Sequence, residues 1–192
     1  MSERSNDPRV LPHITNRWSP RSFDGSTMPA EDLETILKAA GLAPSAFNNQ
    51  PWTFLYAHKG DENWDRFLSL LVEFNQSWAK DASVLLFVAS DRMGRGGSTP
   101  QPNHSHSFDA GAAWMGLALQ AAHMGYAAHG MTGVNFDAAI AALNIPEDYR
   151  LEAAVAIGKQ APADQLPEML RGREVASGRK PVGEIMKAGN FA

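Results

Sequence analysis

The chain has 192 residues, 44% of them hydrophobic and 20% charged, with no cysteine and a formal net charge of −4. That length and apolar share fit one folded domain and exclude disordered or collagen-like states. The missing cysteines exclude disulfides, thiolate nucleophiles, iron–sulfur clusters and cysteine zinc sites, and the negative balance offers nucleic acid no attracting field. A single phosphate needs only a local basic cluster, so that ligand stays open.

Residues 1–16 are polar, are broken by Pro8 and Pro12, and read as an arm preceding one domain over 17–192. Their composition is unlike a signal peptide. The longest apolar stretch, Ala110 to Ala122, is short of the roughly 20 residues that cross a bilayer. The expectation is a soluble cytoplasmic protein with neither membrane nor nucleic acid as partner.

A helix is predicted from Pro29, with Glu31 and Asp32 favourable at its start, Leu33, Ile36, Leu37 and Ala40 at helical spacing, and Gly41 ending it. Thr53 to Ala57 reads as a strand, Asp61 to Glu73 as one amphipathic helix, and Val84 to Ala89 as a buried strand. Arg92 to Ser107 is rich in Gly and Pro and reads as a long loop. Asp109 is placed to cap a helix running to about Met124, which is apolar on most sides and therefore central, with His123 as a hydrogen-bonded core residue. A short strand at Tyr126 to Met131, a helix at Phe136 to Leu143 and a buried strand at Ala153 to Ile157 follow. Residues 159–192 show little periodicity and carry Arg171, Arg173, Arg179 and Lys180, so they read as a tail that is frayed or laid over a partner.

Three groups of residues carry candidate chemistry. In an extended Arg17-x-Ser19-x-Arg21 segment, alternate side chains face the same way and would offer two guanidiniums and a hydroxyl to a phosphate; the alternative is a solvated surface stretch. Ser45, Asn48 and Gln50, between Pro44 and Pro51, either read a heterocycle edge or satisfy their own turn. His104, His106 and Asp109 have metal-ligand chemistry, but the two histidines sit on a Gly/Pro-rich loop without rigid support and Asp109 is better explained as a helix cap. His129 sits among small residues, where it could line a pocket; Trp78 and Trp114 read as packing residues. No phosphate-binding loop, no strand–GxGxxG–helix unit and no Gly-x-Ser-x-Gly elbow occurs.

Taken in order, these pieces resemble the nitroreductase superfamily of FMN-dependent oxidoreductases. Arg17-x-Ser19-x-Arg21-x-Phe23 is similar to the family's N-terminal motif, and Pro44-Ser45 through Asn48-x-Gln50-Pro51-Trp52 to its PS…NxQPW signature. Asp109-x-Gly111-x-Ala113 opens the central helix, and Pro146, Gly158 and Arg179-Lys180-Pro181 resemble the C-terminal part. The resemblance covers nearly the whole chain from Arg17 onward.

It implies an α+β fold with a central mixed sheet flanked by helices, and an intertwined homodimer whose C-terminal tail crosses to the other subunit. FMN would lie at the interface. Arg17 and Arg21 would meet its phosphate, with Trp18 and Ser19 along the ribityl–phosphate end and Arg179 as a further cation. Ser45, Asn48 and Gln50 would come from the partner chain, while His129, Gly130 and Met131 would approach the ring. NADH or NADPH would be the electron donor, and a nitroaromatic, quinone or similar conjugated small molecule the acceptor, in a ping-pong cycle with no catalytic side chain. The 92–107 loop matches no family motif. A flavin-binding sensor and a single-metabolite dehalogenase or dehydrogenase are the alternatives.

Overall fold

Branched and aromatic residues gather where the strands form, and small apolar residues line the long helix packed on them. The computed structural model describes residues 7–191, so residues 1–6 of the expected arm and residue 192 lie outside it. In chain order the elements are α1 (Pro12–Asn16), α2 (Ala30–Gly41), β1 (Trp52–His58), α3 (Trp64–Ser69), α4 (Glu73–Ala79) and β2 (Val84–Asp91). A short hairpin, β3 (Met93–Gly94) and β4 (Gln101–Pro102), leads to α5 (His106–His123). Then come β5 (Ala127–Met131), α6 (Phe136–Ala142), β6 (Tyr149–Gly158), α7 (Glu168–Arg171) and α8 (Val182–Ile185).

The main sheet has strand order β1-β2-β6-β5, and every neighbouring pair is antiparallel. This corrects the expected mixed sheet. Helices between strands suggest a crossover, but His58 at the end of β1 faces Val84 at the start of β2. The β1–β2 connection leaves and re-enters the sheet at the same end, so that pair is antiparallel; the crossover is made by α5, which joins β2 to β5 with β6 lying between them.

The sheet separates two cores. On β2, Leu85 and Phe87 face a layer with Phe67, Leu71 and Trp78, whereas Val84, Leu86 and Val88 face one with Ile36 from α2 and Leu117 from α5. This alternation explains why β2 reads as an unbroken apolar run. Tyr126 ties β5 to α2, its hydroxyl donating to Asp32 Oδ2 at 2.6 Å. Burial, then the Asp32 carboxylate, push that hydroxyl's pKa up to about 12.

The β2–β6 register slips once. Val88 faces Ala153 but Ala89 faces Leu151, so Glu152 is the extra residue of a β-bulge. Without the bulge, Glu152 and Ala153 would point to opposite faces of the sheet; both instead line the same cavity.

Several expectations are corrected. The helix predicted over 61–73 is shorter, Trp64–Ser69, and a second one begins only at Glu73, because the chain between them pairs elsewhere: Leu71 bridges Val134, and Val72 N–H donates to the Gly133 carbonyl. Asp109 lies within α5 and does not cap it; its buried Oδ2 accepts the Ala46 N–H at 3.0 Å. His123 is exposed, with Nδ1 3.2 Å from His13 Nε2. The tail is not laid wholly outward. Leu166 and Leu170 are buried in this chain's own core, Phe23 bridges Gln160, and Ser22 Oγ donates to the Pro162 carbonyl at 2.7 Å. Beyond Glu174 the described residues are exposed, apart from a half-buried Gly178.

Candidate functional site

The arginine arm is extended because it is laid along another segment. Asp24 N–H donates to the Lys159 carbonyl and Ala161 N–H to the Ser22 carbonyl. Glu174 Oε1 accepts the backbone N–H groups of Arg21 at 2.7 Å and Ser22 at 2.8 Å. The carboxylate is buried, and its Oε2 has no hydrogen-bond partner among the described residues. On the other side of the arm, the His129 ring is buried 4.7 Å from the Trp78 ring, with Nδ1 2.9 Å from the Pro20 carbonyl. Burial pushes the His129 pKa below 6.5, so the ring is held neutral and its Nδ1–H donates to Pro20.

This arm brings Arg17 and Ser19 to the edge of a cavity of about 450 Å³ over one face of the sheet. Arg17 Nη1 donates to Ser19 Oγ at 3.4 Å. Gly130 and Met131 line the same cavity, and Trp114 and Met115 of α5 supply an apolar wall. A Cβ on Gly130 would stand 3.1 Å from Trp114 Cζ2, so glycine lets the indole lie close to β5.

The remaining predicted residues are elsewhere in this chain. Trp18 borders a separate hollow of about 370 Å³ with Asn16 and Tyr126. Arg21 and His129 do not line the cavity; Arg21 is engaged through its backbone, and His129 packs on Trp78. Arg179 is exposed, its Nη1 donating to the Ser177 and Gly178 carbonyls. Ser45, Asn48 and Gln50 form a self-bonded loop. Ser45 Oγ accepts Gln50 N–H at 3.0 Å, and Gln50 Nε2 donates to the Asn48 carbonyl. Phe47, Asn48 and Gln50 have positive φ, a rare conformation for side-chain-bearing residues, and Phe47 is 98% exposed.

A polar cluster on the cavity wall escaped the sequence reading. Ser90 Oγ and Ser107 Oγ each donate to Glu152 Oε1 at 2.6 Å. With its own proton committed, Ser90 Oγ accepts from His106 Nδ1 at 2.8 Å, which fixes that nitrogen as the protonated one. Arg150 Nε lies 3.3 Å from Glu152 Oε2. A glutamate inside an apolar strand was the available signal; the bulge that aims it was not visible. Among the described residues no group of three His, Asp or Glu side chains could hold a metal, which removes the His104/His106/Asp109 site.

The architecture is that of a small α+β protein whose antiparallel sheet, with a helix against each face, carries a cavity of cofactor size. The chain belongs to the nitroreductase family, whose model matches residues 14–74 and 62–159. A crystal structure described as an oxidoreductase containing FMN is 50% identical, with a TM-score of 0.94 over 98% of this chain and 96% of that one. An oxygen-insensitive NADPH nitroreductase of Helicobacter pylori is 32% identical over 80 residues, 41% of this chain and 37% of that protein. A relative from Archaeoglobus fulgidus is 33% identical over 85 residues, 44% of this chain; the match spans about half of that protein, 48%. Among the described residues no helix is long and apolar enough to cross a membrane.

Proposed function

We propose that the protein is an FMN-dependent oxidoreductase that works as a homodimer in the cytoplasm and reduces nitroaromatic, quinone or similar conjugated acceptors. One observation carries this reading: the cavity joins a guanidinium and a hydroxyl, Arg17 and Ser19, to an apolar wall at Trp114 and Met115 and to a polar edge at Ser107 and Glu152. A phosphate tail, a flat heterocycle and its polar rim require those three environments, so the residues present fit FMN. FMN held there by Arg17, Ser19 and the Trp114 wall would supply the redox chemistry, with NADH or NADPH as the hydride donor and the conjugated acceptor as the receiver in a ping-pong order.

The chain's own residues bind and orient. Arg17 and Ser19 hold the phosphate end; Trp18, which lines the neighbouring hollow with Arg17, and Arg21, held through its backbone, contribute from outside the cavity by keeping the arm in place. Gly130 and Met131 support the ring, His129 fixes the arm behind them, and Trp114 excludes water from one side. Ser45, Asn48 and Gln50 serve the cavity of a second copy. This assignment is supported by the exposed, strained loop that holds them and by exposed Phe47, Phe108 and Met115, apolar groups a dimer would cover. Because residues up to Glu174 are anchored in their own chain, the crossing part of the tail starts at residue 175, and it delivers Arg179 to the phosphate of the other subunit.

The test is the visible spectrum of the purified protein, followed by NADPH and NADH oxidation with a nitroaromatic acceptor. A flavin band and turnover are expected. A protein that neither carries nor takes up FMN refutes the reading; tight FMN that neither nicotinamide reduces makes the protein a flavin-binding module instead.

A further inference from the structure

Glu152 enters the reading above only as part of the cavity's polar edge, yet the fold goes to some length to present it. The β-bulge places it on the cavity face beside Ala153, although the strand from Leu151 to Ile157 is otherwise apolar. Two serine hydroxyls, from the end of β2 and the start of α5, hold Oε1, and His106 fixes the first of them in turn. Oε1 is thereby saturated. Oε2 has Arg150 at 3.3 Å, and that arginine is 62% exposed, so solvent screens part of its charge and it compensates the carboxylate incompletely.

The carboxylate is also set apart from the arginine arm. Pro20 is tied to His129, and the adjacent Gly130 pairs with Val155. Glu152 lies three residues further along β6, roughly 10 Å at the usual rise of a strand. Arg17 and Glu152 thus reach the one cavity from different elements, the arm beside β5 and the β2–β6 bulge.

Resting on the assignment of the cavity to FMN and its acceptor, we propose that Glu152 is a specificity-determining residue: it selects neutral, hydrogen-bond-donating acceptors and rejects those carrying a carboxylate. Oε2 accepts a hydrogen bond from an amide or hydroxyl on the acceptor, whereas an anionic acceptor meets a like charge that the bulge and two serines hold in place. Ser90, Ser107 and His106 act through Glu152 and are positioning residues.

The experiment uses the flavin-loaded protein at low ionic strength without nicotinamide, so that binding is read from the flavin absorbance and not from turnover. It is titrated with 4-nitrobenzamide and with 4-nitrobenzoate. The wild-type protein is expected to bind the amide about tenfold more tightly than the carboxylate. Glu152→Gln should bring the two within about twofold, and Arg150→Gln should widen the gap by leaving the carboxylate less compensated. Equal affinities in the wild-type protein, or an undiminished gap in Glu152→Gln, overturn the proposal. If Glu152→Gln does not retain flavin, Arg150→Gln decides, and an unchanged gap there overturns it. A wild-type protein that never binds flavin refutes the functional reading itself. Flavin-loaded protein that treats both probes alike refutes this inference alone.

Discussion

Glu174 joins the two ends of the domain, and its removal gives the sharpest test of how the arginine arm is built. Glu174→Ala deletes the acceptor for two backbone N–H groups, those of Arg21 and Ser22, 153 and 152 residues away in sequence. Hydrogen bonds to a charged group contribute about 1.5–3 kcal/mol each, so the pair contributes about 3–6 kcal/mol. Against this, the buried Oε2 has no partner among the described residues, a burden of about 1–3 kcal/mol that the mutation relieves. The expected net loss is about 2–3 kcal/mol, read by urea unfolding at one fixed protein concentration. Because the arm carries Arg17 and Ser19, FMN affinity should fall as well. Glu174→Gln keeps an acceptor oxygen and should recover part of both losses. A Glu174→Ala protein within about 0.5 kcal/mol of wild type, with unchanged FMN affinity, would show that the arm is set by its pairing with 159–161 alone and would refute this account.

Arg17→Ala is expected to weaken FMN binding by about 1.5–3 kcal/mol in a flavin titration. Arg179→Ala should weaken it about threefold or more, and only in the dimeric protein. His129 sets a pH dependence: its folded pKa lies below 6.5, so the unfolded chain takes up the proton first, and the contribution of the neutral ring is present above about pH 6.5 and lost as pH falls below it. Melting temperatures measured between pH 7.5 and 5.5 should fall more steeply for the wild-type protein than for His129→Gln; parallel slopes would contradict the burial argument. Gly158→Ala should cost about 1–3 kcal/mol in chemical denaturation, since the new Cβ would stand 2.9 Å from Phe23 Cδ1 and 3.1 Å from the Ser83 backbone nitrogen, inside a packed core.

The amino-acid sequence by itself determined the local elements and the family. Apolar spacing located α2 and α5, and unbroken apolar runs located β2 and the inner part of β6, because a helix or strand must turn its apolar side to the core whatever the rest of the chain does. The order of short motifs, from Arg17-x-Ser19-x-Arg21 to Arg179-Lys180-Pro181, pointed to the family to which the chain belongs. Tertiary structure alone decided how the strands pair, where the 61–79 region breaks, and that Asp109 serves Ala46 instead of its own helix. It also decided the cavity's polar wall and the clamp on the arginine arm. Glu152 faces the cavity because one residue of β6 is unmatched in β2, and Glu174 reaches Arg21 because the tail folds back across the domain. Both depend on contacts between residues distant in sequence, and pattern along the chain carries no record of which distant backbone group a side chain will meet.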